Sequence, residues 1–225
     1  MKRAALVMAL LIIVGVFIYF ALYPFSDQQQ NKEFENTYRE IQSIAYKAGV
    51  NPSSNISYAE NEQSAVDFDA LLAINPDTVA WIEIPGTSMN YPVVQSENDS
   101  YYEKYDFNRK RAACGAIFAQ SNNKFPEPFD KNTVLYGHNM SSSKTLMFSP
   151  LLGYKDKEFL DAHRRVNMYT PTGNSAWKVV AVCHLSIDVL TDFNFMEITF
   201  ESAEDFNKHM EHLQSRSIHG KFELV

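Results

Sequence analysis

Apolar and polar residues alternate with a period of two over much of the chain beyond residue 78, as is typical of half-buried strands. Strands are predicted in four short runs, at residues 79–84, 91–94, 112–119 and 134–136. Residues 166–170 and 177–186 are predicted to form a hairpin through the turn residues 171–174. Short strands separated by turn residues favour a mainly β domain, either a barrel or a sandwich.

Three other segments have helical spacing. Apolar side chains recur three or four residues apart in residues 27–48, with charged residues between them. Residues 67–74 form a shorter pattern that ends at Asn75 and a proline. The last helix is expected at residues 202–213, where Ser202 can cap the amino end and Asp205 follows three residues later. The β domain is therefore expected to carry N-terminal helices and one late helix.

An uncharged apolar segment occupies residues 4–23, directly after Lys2 and Arg3. At a rise of about 1.5 Å per residue, such a helix spans the roughly 30 Å hydrocarbon core of a bilayer. The positive flank predicts a cytoplasmic N-terminus, with the chain after Asp27 outside the cell. A cleaved signal peptide is the alternative, but its apolar region is usually about 7–15 residues and ends in small residues. Residues 22–25 are bulky, which favours an uncleaved anchor in the cell membrane.

These patterns predict three parts: a transmembrane signal anchor at residues 1–26, a helical stalk at residues 27–66 and a globular domain at residues 67–225. Apolar residues make up 45% of the chain and charged residues 21%, as in ordinary folded proteins. The net charge is −7 and no basic patch is visible, which argues against nucleic acid as a partner.

The sequence has two cysteines, Cys114 and Cys183. In an exported domain they could form a disulfide, but isolated cysteines inside apolar runs are more often small buried side chains. No ligand spacing predicts a metal site, and no cofactor is implied. The polar surroundings of His163, His209 and His212 predict that these three histidines lie at the surface.

The candidate chemistry lies in residues 133–140 (Thr-Val-Leu-Tyr-Gly-His-Asn-Met). The segment begins as a strand, Gly137 ends the pattern, and His138 follows at once. A histidine at the rim of a sheet can be presented to a substrate by a rigid scaffold, although it can also simply end a strand. His138 is the candidate catalytic residue.

Several motifs together resemble those of the sortases. They are residues 81–87 (Trp-Ile-Glu-Ile-Pro-Gly-Thr), 91–95 (Tyr-Pro-Val-Val-Gln), 101–102 (Tyr-Tyr), 115–118 (Gly-Ala-Ile-Phe) and 136–140. The motifs stand in the family's order, and the likeness covers roughly residues 67–214. The N-terminal helices and the late helix make class B the most similar subgroup.

The resemblance implies a β-barrel of eight strands and a membrane-tethered cysteine transpeptidase of Gram-positive bacteria. Such an enzyme cleaves the C-terminal sorting signal of an exported protein, holds the acyl part as a thioester and transfers it to an amine of the peptidoglycan precursor. The sorting signal in this subgroup is commonly a pentapeptide that begins with Asn-Pro or Ser-Pro. His138 corresponds to the family's catalytic histidine, whose imidazolium can stabilise a thiolate and protonate the leaving amine.

The sequence departs from the family at the nucleophile. The family places its cysteine in a Thr-Leu-x-Thr-Cys strand, followed by an arginine that stabilises the oxyanion, and these 225 residues contain no such motif. Cys114 and Cys183 belong to other predicted strands, so neither takes the nucleophile's role. Arg216 stays unassigned, because residues 218–222 are either a closing strand or a short foreign tail.

We therefore expect a sortase-like barrel that is incomplete at its C-terminus, less stable than a complete homologue and inactive as a transpeptidase. One alternative is a membrane-anchored binding module that holds sorting signals without cutting them. The other is an inert product that does not accumulate.

Overall fold

The computed structural model describes residues 28–46, 66–125, 129–140, 142–185 and 194–220. The chain divides into two compact units, Met1–Glu40 and Ile41–Val225. Residues 28–45 are helical (α1), in agreement with the helix predicted at residues 27–48. Within the first unit, the ring centroids of Phe34 and Tyr38 lie 4.4 Å apart.

The predicted anchor at residues 1–26 and the stalk residues 47–65 lie outside the described residues. In the part of the chain that the structure describes, no helix has both the length and the apolar character needed to cross a membrane.

One curled sheet of six strands, a half-barrel, organises the second unit. The strands are β1 (Thr78–Glu83), β2 (Asn90–Val94), β3 (Ile117–Ala119), β4 (Leu135–Tyr136), β5 (Arg165–Thr170) and β6 (Gly173–Lys178). Their order in the sheet is β4-β3-β2-β1-β5-β6, with β2 and β3 parallel and the other neighbours antiparallel. The prediction of a mainly β domain is confirmed. Among the described residues, the end strands β4 and β6 are not paired with each other.

Short helices connect and flank the strands. They are α2 (Phe68–Ile74), a 3-10 helix (Ser149–Lys155), α3 (Lys157–Ala162) and α4 (Ala203–Ser215). The predicted cap of the late helix is confirmed, because the Ser202 hydroxyl accepts a hydrogen bond of 3.1 Å from the backbone N–H of Asp205. Asp156 caps α3 in the same way, through the N–H of Phe159 at 3.0 Å. Each bond satisfies a backbone donor that the first helical turn leaves without a partner.

The core lies against β1, which is paired on both sides. Trp81, at the middle of this strand, is fully buried, and its indole N–H donates a hydrogen bond of 2.6 Å to Asn90 Oδ1. A buried indole keeps its place at low cost when its N–H has such a partner. The central strand therefore fixes the frame from which β3 and β4 extend.

Two strand predictions were wrong in extent. The second hairpin strand was predicted at residues 177–186, but β6 spans Gly173–Lys178. It begins early because a tight turn at residues 171–172 follows Thr170 directly, and the described residues 179–185 are not in a strand. The Thr170 hydroxyl supports this turn by accepting a bond of 3.1 Å from the N–H of Gly173. The strand predicted at residues 112–119 is paired only in β3, because Gly115 turns the chain before it with a φ of +55°.

The surface prediction was wrong for two histidines. His209 is 8% exposed on the inner side of α4, and its ring packs against Phe200 at 5.0 Å. His163 is partly buried, and its Nδ1 lies 2.9 Å from the carbonyl oxygen of Pro85. His212 is exposed, as predicted. These side chains face the core or the solvent according to tertiary packing, which their polar neighbours in the sequence did not reveal.

Candidate functional site

His138 lies two residues after the end of β4, at the rim of the sheet, as predicted. β4 pairs with β3 through Phe118 and Tyr136. Gly137 then passes close to the core, where a Cβ atom would lie 2.5 Å from Ile117 Cδ1 and 2.8 Å from the ring of Phe148. Only glycine fits this approach without displacing its neighbours, so Gly137 sets the position from which His138 leaves the sheet.

A cavity of about 440 Å³ lies beside His138. We call it the His138 groove; its lining residues are Asp99, Ser100, Glu103, Phe118, Tyr136, Gly137 and His138. The rings of Phe118 and Tyr136 form an apolar wall, with their centroids 5.1 Å apart. The groove therefore combines an aromatic wall, two carboxyl groups and one imidazole.

Three lining residues of the groove, at positions 99, 100 and 103, were missed by the sequence analysis. They belong to the loop that contains the Tyr-Tyr motif. The hydroxyl of buried Tyr102 donates a bond of 2.6 Å to Asp77 Oδ2, and Asn75 Nδ2 donates one of 2.9 Å to that hydroxyl. Tyr102 thus ties the loop to the end of α2. The only sequence feature that could have indicated these lining residues was the Tyr-Tyr motif beside them. Its role depends on hydrogen-bond partners of Tyr102 that are distant in the sequence.

Two further hydrogen bonds hold lining residues of the groove in place. Asp99 Oδ1 accepts a hydrogen bond of 2.6 Å from the N–H of Ser121. The Tyr136 hydroxyl donates one of 3.0 Å to Gln120 Oε1. Burial, together with the charge of Asp99, raises the pKa of Tyr136, so this hydroxyl remains a hydrogen-bond donor at neutral pH.

The imidazole of His138 is held by the backbone of the loop opposite. Its Nε2 lies 2.9 Å from the carbonyl oxygen of Glu103. A carbonyl oxygen only accepts, so Nε2 is the donor in this hydrogen bond. The other nitrogen, Nδ1, has no hydrogen-bond partner among the described residues.

Neither cysteine lines the His138 groove, and both are free thiols. Cys114 is 5% exposed, and burial raises the pKa of its thiol to about 12. Cys183 donates a hydrogen bond of 3.4 Å to the carbonyl oxygen of Leu213, and burial raises its pKa against the opposing charge of Arg216. Both groups therefore remain thiols at neutral pH, whereas a nucleophile must be a thiolate.

Arg216 follows α4 directly and is not among the residues that line the groove. Residues 217–220 form a turn rather than a strand, although the N–H of Ile218 donates a bond of 2.9 Å to the carbonyl oxygen of Val182. In the described residues, no group of three or more histidine, cysteine or acidic side chains could hold a metal ion.

No family model matches the sequence. A curated relative, sortase B of Listeria monocytogenes, is 28% identical over 209 residues, which cover 93% of this chain and 80% of the relative.

Solved structures with the same fold include the Staphylococcus aureus sortase B–substrate complex. That structure has a TM-score of 0.72 and 25% identity, and the match covers 88% of this chain and 84% of that one. Sortase B from Listeria monocytogenes has a TM-score of 0.61 and 30% identity, with 71% of this chain and 87% of that chain covered.

The likeness extends over most of each of these chains, in sequence and in structure. The late helix and the Gly-His pair after β4 agree with the sequence resemblance, whereas the described residues form a half-barrel of six strands rather than the eight-stranded barrel that the resemblance implied. The chain belongs to the class B sortase family.

Proposed function

We propose that this chain serves the sortase reaction, in which the C-terminal sorting signal of an exported protein is cleaved and the protein is joined to an amine of the peptidoglycan precursor. We further propose that these 225 residues bind the signal in the His138 groove without completing the cleavage. This proposal rests on one observation: the groove contains an imidazole, while both cysteines lie outside it as protonated thiols.

The shape and chemistry of the groove support a peptide ligand. Binding sites for small ligands and peptides are commonly concave and apolar, with a few convergent polar groups. The ring of Tyr136 supplies apolar surface, while Asp99 and His138 supply polar groups that can bind a peptide backbone or side chain. One of the structural relatives is a sortase B–substrate complex, which also supports a protein substrate here.

His138 suits the proton transfer of the proposed reaction. In that reaction a thiolate forms a bond to the scissile carbonyl carbon, the carbon–nitrogen bond breaks, and an imidazolium gives its proton to the leaving amine. His138 can supply the proton, but the thiolate is a separate requirement. With the pKa of Cys114 at about 12, this thiol cannot meet it at neutral pH.

We also infer that residues 4–23 anchor the chain in the cell membrane, with the N-terminus in the cytoplasm and the His138 groove outside. The uncharged apolar segment after Lys2 and Arg3 supports this topology. Protease added to intact cells should remove an epitope fused after residue 225 and spare one fused before residue 1. Protection of the C-terminal epitope would reverse the proposed orientation.

Binding is tested with the full chain in detergent micelles and a fluorescent sorting-signal pentapeptide. Ser100→Trp places an indole in the groove and should weaken binding at least about tenfold, because the peptide loses its space. Asn174→Trp, an exposed position on β6, is the matched control and should leave the affinity unchanged. Equal affinities for the two variants would place the peptide elsewhere, and no binding to the wild type would end the proposal.

Cleavage is tested with a fluorogenic version of the same peptide, with and without hydroxylamine, which captures a thioester. We expect no product above the buffer rate. Turnover that gives a hydroxamate with hydroxylamine and is lost in Cys183→Ala would identify Cys183 as a nucleophile and overturn the second part of the proposal.

A second candidate function is a non-catalytic module that retains exported proteins at the membrane. The protonated state of both thiols favours it. The test uses cells whose only sortase is this chain. Retention predicts that a reporter protein with a sorting signal stays with the membrane and is extractable by detergent, whereas binding without retention leaves the reporter as it is in cells that lack the chain. Covalent attachment of the reporter to the cell wall would show that the chain completes the sortase reaction and would overturn both proposals.

A further inference from the structure

The hydrogen bond between His138 and the backbone of Glu103 determines which nitrogen of the imidazole carries the proton. A neutral imidazole has one N–H donor and one acceptor nitrogen. Because Nε2 lies 2.9 Å from a carbonyl oxygen, the proton of the neutral ring belongs on Nε2 and the lone pair on Nδ1. A bond to one ring nitrogen sets the role of the other.

We propose that Gly115 and the carbonyl group of Glu103 form a positioning device that keeps His138 in its Nε2–H form and leaves Nδ1 to exchange protons with a ligand. The inference rests on the proposed function for its purpose, since the ligand is the peptide in the His138 groove. Gly115 acts through Glu103 and does not line the groove, so it is a positioning residue rather than a catalytic one.

The Glu103 carbonyl cannot turn freely, because the backbone on both sides of it is fixed. The carbonyl oxygen of Tyr102 accepts a bond of 2.9 Å from the N–H of Ala116. The carbonyl oxygen of Lys104 accepts one of 3.0 Å from the N–H of Ala112. Residues 112–116 thus hold residues 102–104 from both ends, with the oxygen of Glu103 left for His138.

Gly115 permits this close contact between the two backbone segments. Its φ is +55°, in the left-handed region that favours glycine. A Cβ atom at this position would lie 2.4 Å from the oxygen of Tyr102 and 2.8 Å from that of Glu103. Any larger residue must push both carbonyl groups away, and the bond to His138 is then lost or lengthened.

The arrangement preserves one geometry through the gain and loss of a proton. When the ring is neutral, Nε2–H donates to Glu103 and Nδ1 can accept from a ligand. When Nδ1 is protonated, Nε2–H still donates to the same carbonyl, so the ring need not turn. Fixed ring orientation is the property that a proton donor and acceptor requires at a binding groove.

The experiment is nitrogen-15 NMR of the full chain in detergent micelles with labelled histidine, at a pH at which His138 is neutral. The signals of His138 are assigned from their loss in His138→Gln. We expect a protonated Nε2 and an unprotonated Nδ1 in the wild type. An Nδ1–H form in the wild type would overturn the proposal without any variant.

Gly115→Ala should lose the Nε2–H form, giving a mixture or the Nδ1–H form. The matched control is Gly173→Ala, because a Cβ atom there meets no other atom within 4 Å. Glu103→Gln keeps the carbonyl group and should keep the wild-type form, which separates the backbone from the side chain. If folded Gly115→Ala keeps a pure Nε2–H signal, Gly115 has no positioning role.

If Gly115→Ala does not fold, the spectra of the wild type and of Glu103→Gln decide the question. A pure Nε2–H form in both supports the carbonyl as the acceptor, and a changed form in Glu103→Gln overturns it. The measurement needs no peptide. If the chain binds no peptide but shows the Nε2–H form, the proposed function is wrong, while the inference about the protonated nitrogen of His138 still holds.

Discussion

The hydroxyl of Tyr169 donates a hydrogen bond of 3.0 Å to the buried carboxyl group of Glu83, and this bond ties β5 to β1. Asn167, the partner of Glu83 across the two strands, donates a second bond of 3.2 Å to the same oxygen. Glu83 is only 4% exposed, so its oxygen depends on these two donors in place of water. The two hydrogen bonds to Glu83 therefore stabilise the pairing of β1 with β5 at the centre of the sheet.

Tyr169→Phe should lower the free energy of unfolding by about 1–3 kcal/mol, because a buried acceptor loses one of its donors. The measurement is urea unfolding followed by circular dichroism. Tyr105→Phe is the matched control, since the Tyr105 hydroxyl has no hydrogen bond in the described part of the chain. Equal losses for the two variants would show that the bond to Glu83 contributes nothing specific.

Gly137→Ala should cost about 1–3 kcal/mol through overpacking, because its new methyl group meets Ile117 Cδ1 and the ring of Phe148. It should also weaken binding of the sorting-signal peptide, since His138 is displaced. Ile117→Val removes the Cδ1 atom, so the double variant should regain part of the lost stability. Strict additivity of the two changes would contradict the contact.

The thiol of Cys114 should be unreactive in the folded chain. With its pKa raised to about 12, mainly by burial, about one molecule in ten thousand is a thiolate at pH 8. Below that pKa the thiolate fraction, and with it the rate of modification by a disulfide reagent, should rise about tenfold for each pH unit. Cys183→Ala isolates this thiol, and rapid labelling of the folded variant at pH 8 would contradict the prediction.

His209 should make the protein less stable in acid. Burial lowers the pKa of His209, an effect that the nearby Glu197 opposes. The unfolded chain, with an ordinary pKa of about 6.5, therefore takes up this proton at a higher pH than the folded chain. Stability from this group is fully present above about pH 6.5 and falls as the pH drops below that value.

The test compares urea unfolding at pH 7.5 and pH 5.5. His209→Phe keeps a ring against Phe200 and should reduce the difference between the two pH values. His184→Gln, at an exposed histidine that does not act on the pKa of His209, is the control and should retain the wild-type difference. A wild-type pH dependence in His209→Phe would show that another group causes the acid loss.

The sequence indicated the features whose causes are local. Ser202 was found as a cap because its partner, Asp205, is three residues away. His138 was selected as the candidate because a glycine directly interrupts a strand pattern, and its place at the rim of the sheet agrees with that pattern. The carbonyl group of Glu103 was not found as its partner, because the two residues are 35 positions apart and a backbone atom leaves no mark in the pattern of side chains. The burial of His209 likewise depends on what packs against α4.

β4, which precedes His138, is so short that it should open more easily than the rest of the sheet. Only Leu135 and Tyr136 belong to this strand, and its described pairing is with β3 alone, whereas β1 is paired along both sides. Segments with few backbone bonds open locally at a lower free energy than the core. Amide hydrogen exchange should therefore be faster at Tyr136 than at Trp81, so the strand before His138 opens locally while the centre of the sheet remains closed.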